Sequence, residues 1–207
     1  MPSVVSTFIR AALRAGRPIT DAEFDRVFPA AHRYRSSVHW TPVEVALRVG
    51  ALLAPAPGGR VLDVGAGVGK ACLLGALTTR LAWDGIERDA RMVRTARMAA
   101  RALGVAEQAR FLEGDVASVD WSAYGGLYLY NPFAEALWAE QARLDEVQVP
   151  TYQADVAAAA RKLAEVAVGT LVVTFHGFGG ELPPGFVERR RESFHRGELS
   201  LWERVRA

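Results

Sequence analysis

The stretch Val61-Leu62-Asp63-Val64-Gly65-Ala66-Gly67-Val68-Gly69 most constrains what this chain can fold into. A short apolar run of strand type, 60–64, enters a turn holding three glycines, and a helical pattern follows from Lys70. Glycines there let the backbone turn tightly and let a ligand approach main-chain N–H groups without meeting a Cβ. Downstream, strand patterns at 81–87, 110–113, 127–130 and 170–175 alternate with helical patterns at 70–80, 89–103, about 134–146 and 151–167. Strands separated by helices mean crossover connections and a parallel sheet. Two further β-like runs, at 186–194 and 199–205, flank Arg196-Gly197-Glu198 and predict a hairpin, so the sheet should finish with an antiparallel strand.

Upstream of the glycine turn, residues 1–57 read as helices. An amphipathic segment at 3–15 ends at Gly16 and Pro18. Thr20-Asp21-Ala22-Glu23 has the S/T-x-x-E pattern of a capping box and opens a second helix through about Phe28. A third begins near Thr41-Pro42 and breaks at Pro55-Ala56-Pro57-Gly58-Gly59. The expected architecture is α/β: a doubly wound, mostly parallel seven-stranded sheet with an antiparallel C-terminal hairpin strand. Residues 1–57 are expected to form an N-terminal helical cap and 58–207 the α/β domain that carries the glycine turn.

Composition narrows the function classes. Half of the 207 residues are hydrophobic, enough for a real core, and the apolar stretches are too short to span a bilayer. Arg10 and Arg14 interrupt any secretory signal, so the cytoplasm is the expected location. One cysteine, Cys72, rules out an internal disulfide framework and a cysteine-rich zinc site, and the four histidines show no metal-ligand spacing. The net charge is +2, and of 25 basic residues only Lys70 and Lys162 are lysine. The one dense basic run, Arg189-Arg190-Arg191, lies between Glu188 and Glu192 and reads as a solvated face, which makes a nucleic-acid partner unlikely.

Glu87 lies 22 residues after Gly65, at the expected end of the second strand. A carboxylate there can accept hydrogen bonds from both hydroxyls of a ribose, so a nucleoside-containing ligand across the strand ends is the economical reading. Three details separate the candidates. The spacing is GxGxG rather than GxGxxG, Asp63 stands two positions before the first glycine, and about 60 residues precede the motif. A pyrophosphate needs a helix N-terminus free of competing negative charge. A methionine sulfonium ligand carries an ammonium and a positive sulfur, beside which Asp63 is useful; the alternative is that Asp63 bonds local backbone N–H groups.

VLDVGAGVGK, then GIERD, FLEGDV and YLYNPF, in this order and spacing over roughly 60–175, resemble the class I S-adenosylmethionine-dependent methyltransferases. The resemblance implies S-adenosyl-L-methionine as cofactor. It implies that Gly65, Ala66 and Gly67 flank the methionine part, that Glu87 holds the ribose, that Arg88 lies beside the adenine, and that Asp115 and Val116 contact its amino group and ring. Asn131-Pro132-Phe133 falls at the end of the fourth strand and resembles the N-P-P-[FY] signature of amino-methylating enzymes, with one Pro instead of two. That likeness makes Asn131 the candidate catalytic residue, holding the acceptor nitrogen beside the cofactor; the alternative is a helix N-cap.

His39-Trp40-Thr41-Pro42-Val43-Glu44 resembles the segment that covers the cofactor carboxylate in lysine methyltransferases outside the SET class. It marks Trp40 and Thr41 as candidate cofactor contacts and Tyr34 as a candidate wall of the substrate channel. The Asp that often opens the fourth strand of that family is Gly126 here. His176 and Glu181 are possible bases. The expected function is methyl transfer to nitrogen or oxygen of a small molecule or protein side chain. A nicotinamide-dependent oxidoreductase using the glycine turn for a dinucleotide and a non-catalytic cofactor-binding protein are the alternatives.

Overall fold

The computed structural model describes residues 3–33, 40–132, 149–195 and 197–206. Seven strands form one sheet: β1 (Arg60–Val64), β2 (Ala82–Glu87), β3 (Ala109–Glu113), β4 (Gly126–Tyr130), β5 (Leu171–Phe175), β6 (Phe186–Phe194) and β7 (Gly197–Arg204). Their order is β3-β2-β1-β4-β5-β7-β6. The pairs up to β4–β5 are parallel, and β7 runs antiparallel to both β5 and β6. The hairpin therefore enters the sheet by its second strand and leaves β6 at the edge. Arg196, in its turn, lies outside the described residues.

Helices α1 (Val4–Arg14), α2 (Asp21–Phe24), α3 (Ala30–Arg33), α4 (Val43–Leu53), α5 (Lys70–Thr78), α6 (Ala90–Leu103) and α7 (Val149–Glu165) surround the sheet. The capping signals act as the pattern predicts. The Thr20 hydroxyl accepts from the Glu23 N–H, and the Glu23 carboxylate accepts from the Thr20 N–H at 2.8 Å. The second helix is shorter than the pattern suggests, because the chain tightens into a 3-10 turn, Asp25–Val27, after one α turn. Pro42 takes the N-cap position of α4, and its N-terminal Val43 N–H is bound by the Asp21 carboxylate at 2.9 Å. The expected helix at about 134–146 lies outside the described residues.

Successive residues of a strand point to opposite faces, so the sheet carries two cores. On one face Val61, Tyr128 and Val173 pack with α5 and α6 and with Ile9, Phe24, Phe28 and Val45 of the N-terminal helices. On the other, Leu62, Leu127, Leu129 and Val172 pack with Ala159 and Leu163 of α7 and with Trp121. Gly69, at φ 78°, enters α5 in a left-handed conformation, and the Phe111 ring occupies the space a Cβ would need. No described helix is long and apolar enough to cross a membrane.

Candidate functional site

The carboxyl ends of β1, β2 and β4 bring most of the candidate residues together. Gly65 is exposed, and Ala66 and Gly67 are half-buried, so the turn is open to a ligand. Gly65 adopts φ 73°, and a Cβ there would stand 2.8 Å from Cβ of Pro132. The glycine turn and the start of the Asn131-Pro132 segment thus touch, and only glycine allows it.

The turn's own N–H groups are largely spent. Those of Gly65 and Ala66 both donate to the Ile86 carbonyl at 3.0 Å, and that of Gly69 donates to the Ala66 carbonyl at 2.8 Å. The Gly67 N–H donates to Oε2 of Glu87 at 2.9 Å, and the Asp89 N–H to its Oε1 at 2.8 Å. Both oxygens of Glu87 are held by backbone, which fixes the carboxylate at the strand end. Each carboxylate oxygen has a second lone pair for another donor.

Asp63, on β1, is 4% exposed. Its Oδ2 accepts from the Cys72 thiol at 3.3 Å rather than from local backbone. Burial pushes this carboxyl up to about 7; the Cys72 bond opposes the shift and the Glu87 charge adds to it. Burial and the Asp63 charge hold the Cys72 thiol well above its usual range. Two carboxylates therefore converge on the glycine turn. The one lysine nearby, Lys70, turns away: it is 2% exposed and pairs with Asp21 at 2.5 Å and Asp25 at 2.7 Å. This buried pairing ties the N-terminal helices to the first residue of α5. The scarcity of lysine was the one sequence signal that could have singled it out.

Arg88 follows β2, Asp115 and Val116 follow the neighbouring β3, and Arg88 and Asp115 meet there. Arg88 forks between Asp115, at 2.8 Å, and Asp155 of α7, at 3.1 Å. Asp155 had no motif around it, so its part here was not legible. Asp115 also caps the following turn through the Ala117 N–H at 2.8 Å. Val116 is buried in the core facing α7.

Trp40 and Thr41 stand apart from this group and are both buried. Trp40 packs edge-on to Phe28 with ring centroids 4.9 Å apart. Thr41 and Tyr128 share a hydrogen bond of 3.0 Å between their hydroxyls, and Tyr128 lies opposite Asp63 in the β1–β4 register. Burial drives the Tyr128 hydroxyl well above its usual titration range, so it serves as a neutral partner. Asn131 is half-buried at φ 35°, and its N–H donates to the Gly177 carbonyl at 3.0 Å. Tyr34, His39 and Phe133 lie outside the described residues.

The sequence matches no protein-family model and no curated protein. Solved structures do resemble this one. A methyltransferase from Geobacter sulfurreducens aligns over 97% of this chain and 96% of its own, with a TM-score of 0.63 at 15% identity. An RNA methyltransferase from Salinibacter ruber, crystallised with S-adenosyl-L-homocysteine, aligns over 81% of this chain and 95% of its own, with a TM-score of 0.58 at 22% identity. The fold is the class I methyltransferase fold. It also matches TrmN from Thermus thermophilus over 88% of this chain, with a TM-score of 0.60 at 20% identity, and spans about half (53%) of that longer protein. In the methyltransferase fold of this chain, Asp63, Gly65, Ala66, Gly67, Glu87, Arg88, Asp115, Val116 and Asn131 occupy the ends of β1, β2, β3 and β4 and the turns after them, while Trp40 and Thr41 do not.

Proposed function

We propose that this chain is an S-adenosylmethionine-dependent methyltransferase acting on a nitrogen or oxygen of a small molecule or an exposed protein side chain. One observation carries the reading: the glycine turn spends its N–H groups on Ile86, Glu87 and Ala66 and gathers the carboxylates of Asp63 and Glu87. A pyrophosphate would meet negative charge there and few free donors. A ligand with an ammonium and ribose hydroxyls finds acceptors. Bound there, the cofactor supplies a methyl group on a positively charged sulfur that leaves as a neutral thioether.

The chain's own part is to bind, orient and exclude water. Glu87, already fixed by two backbone donors, accepts from the ribose hydroxyls. Gly65, Ala66 and Gly67 line the methionine part, and Asp63 supplies negative charge beneath it. Arg88, Asp115 and Val116 form the adenine end, with Arg88 and Asp115 holding each other. Thr41 backs the site through its bond to Tyr128, and Trp40, packed on Phe28, holds the segment that carries Thr41. Asn131 presents its side chain at the end of β4, where it holds the acceptor atom.

The likeness of residues 39–44 to lysine methyltransferases draws no support from the neighbouring folds. A small acceptor is favoured by the pairing of the basic run: Arg189 with Glu203 at 2.7 Å, Arg190 with Glu192 at 3.2 Å and Arg191 with Glu188 at 2.8 Å. One neighbour is named an RNA methyltransferase, so RNA belongs in the acceptor panel. The test is thermal unfolding with saturating S-adenosylhomocysteine, NAD or NADP in parallel. A ligand at 100 times its Kd adds about 2.7 kcal/mol, a shift on the order of 5–10 °C at this size. The expected result is a shift with S-adenosylhomocysteine alone; a shift with a dinucleotide alone overturns the reading.

A further inference from the structure

Among the described residues, Asn131 and His176 are the two that are not glycine yet have a left-handed backbone, at φ 35° and 59°. They end neighbouring strands, since Tyr130 and Phe175 are partners in the β4–β5 register. The Asn131 N–H donates to the carbonyl of Gly177, the residue after His176. Such conformations persist only where the surroundings enforce them, and here the result is a loop turned back from the end of β5 toward the hairpin. Between that loop, β5 and the hairpin lies a cavity of about 360 Å³. Its volume suits a small organic molecule.

The lining is chemically uneven. Phe178, Leu182, Phe186 and Trp202 make it apolar and aromatic. Thr174 is 5% exposed, and its hydroxyl receives the Trp202 indole N–H at 3.4 Å, the long end of a hydrogen bond. Glu181 is the one charged residue among the described residues of the lining, and it is exposed. Arg204 stacks on Phe186 at 5.2 Å without lining the cavity. Gly177 belongs both to the cavity wall and to the bond that holds Asn131. Aromatic walls with a lone carboxylate favour an organic cation.

We propose that this cavity is the acceptor subsite and takes a small arylalkyl amine. The apolar body enters the cavity, and the amino nitrogen stays at the mouth, on the side where Gly177 holds Asn131. There Glu181 pairs with the ammonium and then takes its proton, which frees the nitrogen lone pair to bond the methyl group as that group's bond to the cofactor's sulfur breaks. This rests on the methyltransferase reading and adds a substrate class to it. The test uses protein saturated with S-adenosylhomocysteine, titrated with phenethylamine, phenethyl alcohol or phenylacetate and followed by ligand-observed NMR. Phenethylamine is expected to bind about tenfold more tightly than the alcohol, and phenylacetate weakest. Glu181→Gln should erase the preference for the amine, and Thr174→Leu, which fills the floor, should weaken all three. A nuclear Overhauser effect is expected between the amine's methylene protons and those beside the sulfur of S-adenosylhomocysteine. S-adenosylhomocysteine affinity, measured on each variant, reports whether the fold survives the substitution. Equal binding of amine and alcohol, or an amine preference that survives Glu181→Gln, overturns the proposal and leaves the methyltransferase reading standing. Failure of S-adenosylhomocysteine itself to bind overturns that reading, and the amine subsite with it.

Discussion

Asp63 shows how burial sets what one carboxyl does to the stability of the fold. Its pKa rises from an ordinary 3.8 to about 7 because burial removes its water. The folded state therefore holds this proton more tightly than the unfolded chain. The contribution to stability is intact below about pH 4 and is lost as the pH climbs to about 7. Asp63→Asn is expected to stabilise the ligand-free protein at pH 8 by about 2–4 kcal/mol, with the gain shrinking toward pH 4. Urea unfolding at the two pH values checks it. The same variant should bind S-adenosylhomocysteine more weakly at pH 8, because the ligand's ammonium loses its counter-charge. Glu87→Ala tests the ribose assignment. Hydrogen bonds to a charged acceptor are worth about 1.5–3 kcal/mol each, so at least a tenfold loss of affinity is expected by calorimetry. Unchanged affinity would remove Glu87 from the site. Both residues stood out in the sequence by their spacing from the glycines, but the thiol beneath Asp63 and the two N–H groups on Glu87 did not.

At the scale of elements, the N-terminal helices are held to the rest of the chain by charge as well as by packing. Lys70 opens α5, and its partners Asp21 and Asp25 belong to α2 and the 3-10 turn after it. Asp21 also binds the first N–H of α4, so one carboxylate joins three elements. Lys70→Met would leave two carboxylates without this cation, Asp25 in a buried position. Removing one side of a buried pairing costs about 3–5 kcal/mol, and a loss of that size is expected in denaturant unfolding. Adding Asp25→Leu should recover part of it, because the stranded charge goes too. The capping box at Thr20 and Glu23 was legible because its partners are three residues apart and its chemistry is local. The Lys70 pairing was not, since Asp21 lies 49 residues back along the chain.

The molecule as a whole has its N-terminal helices in the same core as the sheet: Ile9, Phe24 and Phe28 pack in one cluster with Trp83 and Phe111. A chain lacking residues 1–29 is expected to lose cooperative unfolding and its near-ultraviolet circular dichroism; retention of both would make these helices a separable cap. The sequence by itself determined the order of strands and helices, the glycine turn and the closing hairpin. Those follow from periodicity and turn chemistry, which act between residues a few positions apart. Only the tertiary structure decided which groups lose their water and which charges meet. The pairing of Arg88 with Asp155, the burial of Asp63 against Cys72 and the left-handed Asn131 and His176 at adjoining strand ends belong to that set. Each depends on surfaces brought together by long-range packing, where burial strengthens electrostatic interactions and neighbouring elements hold a strained backbone in place.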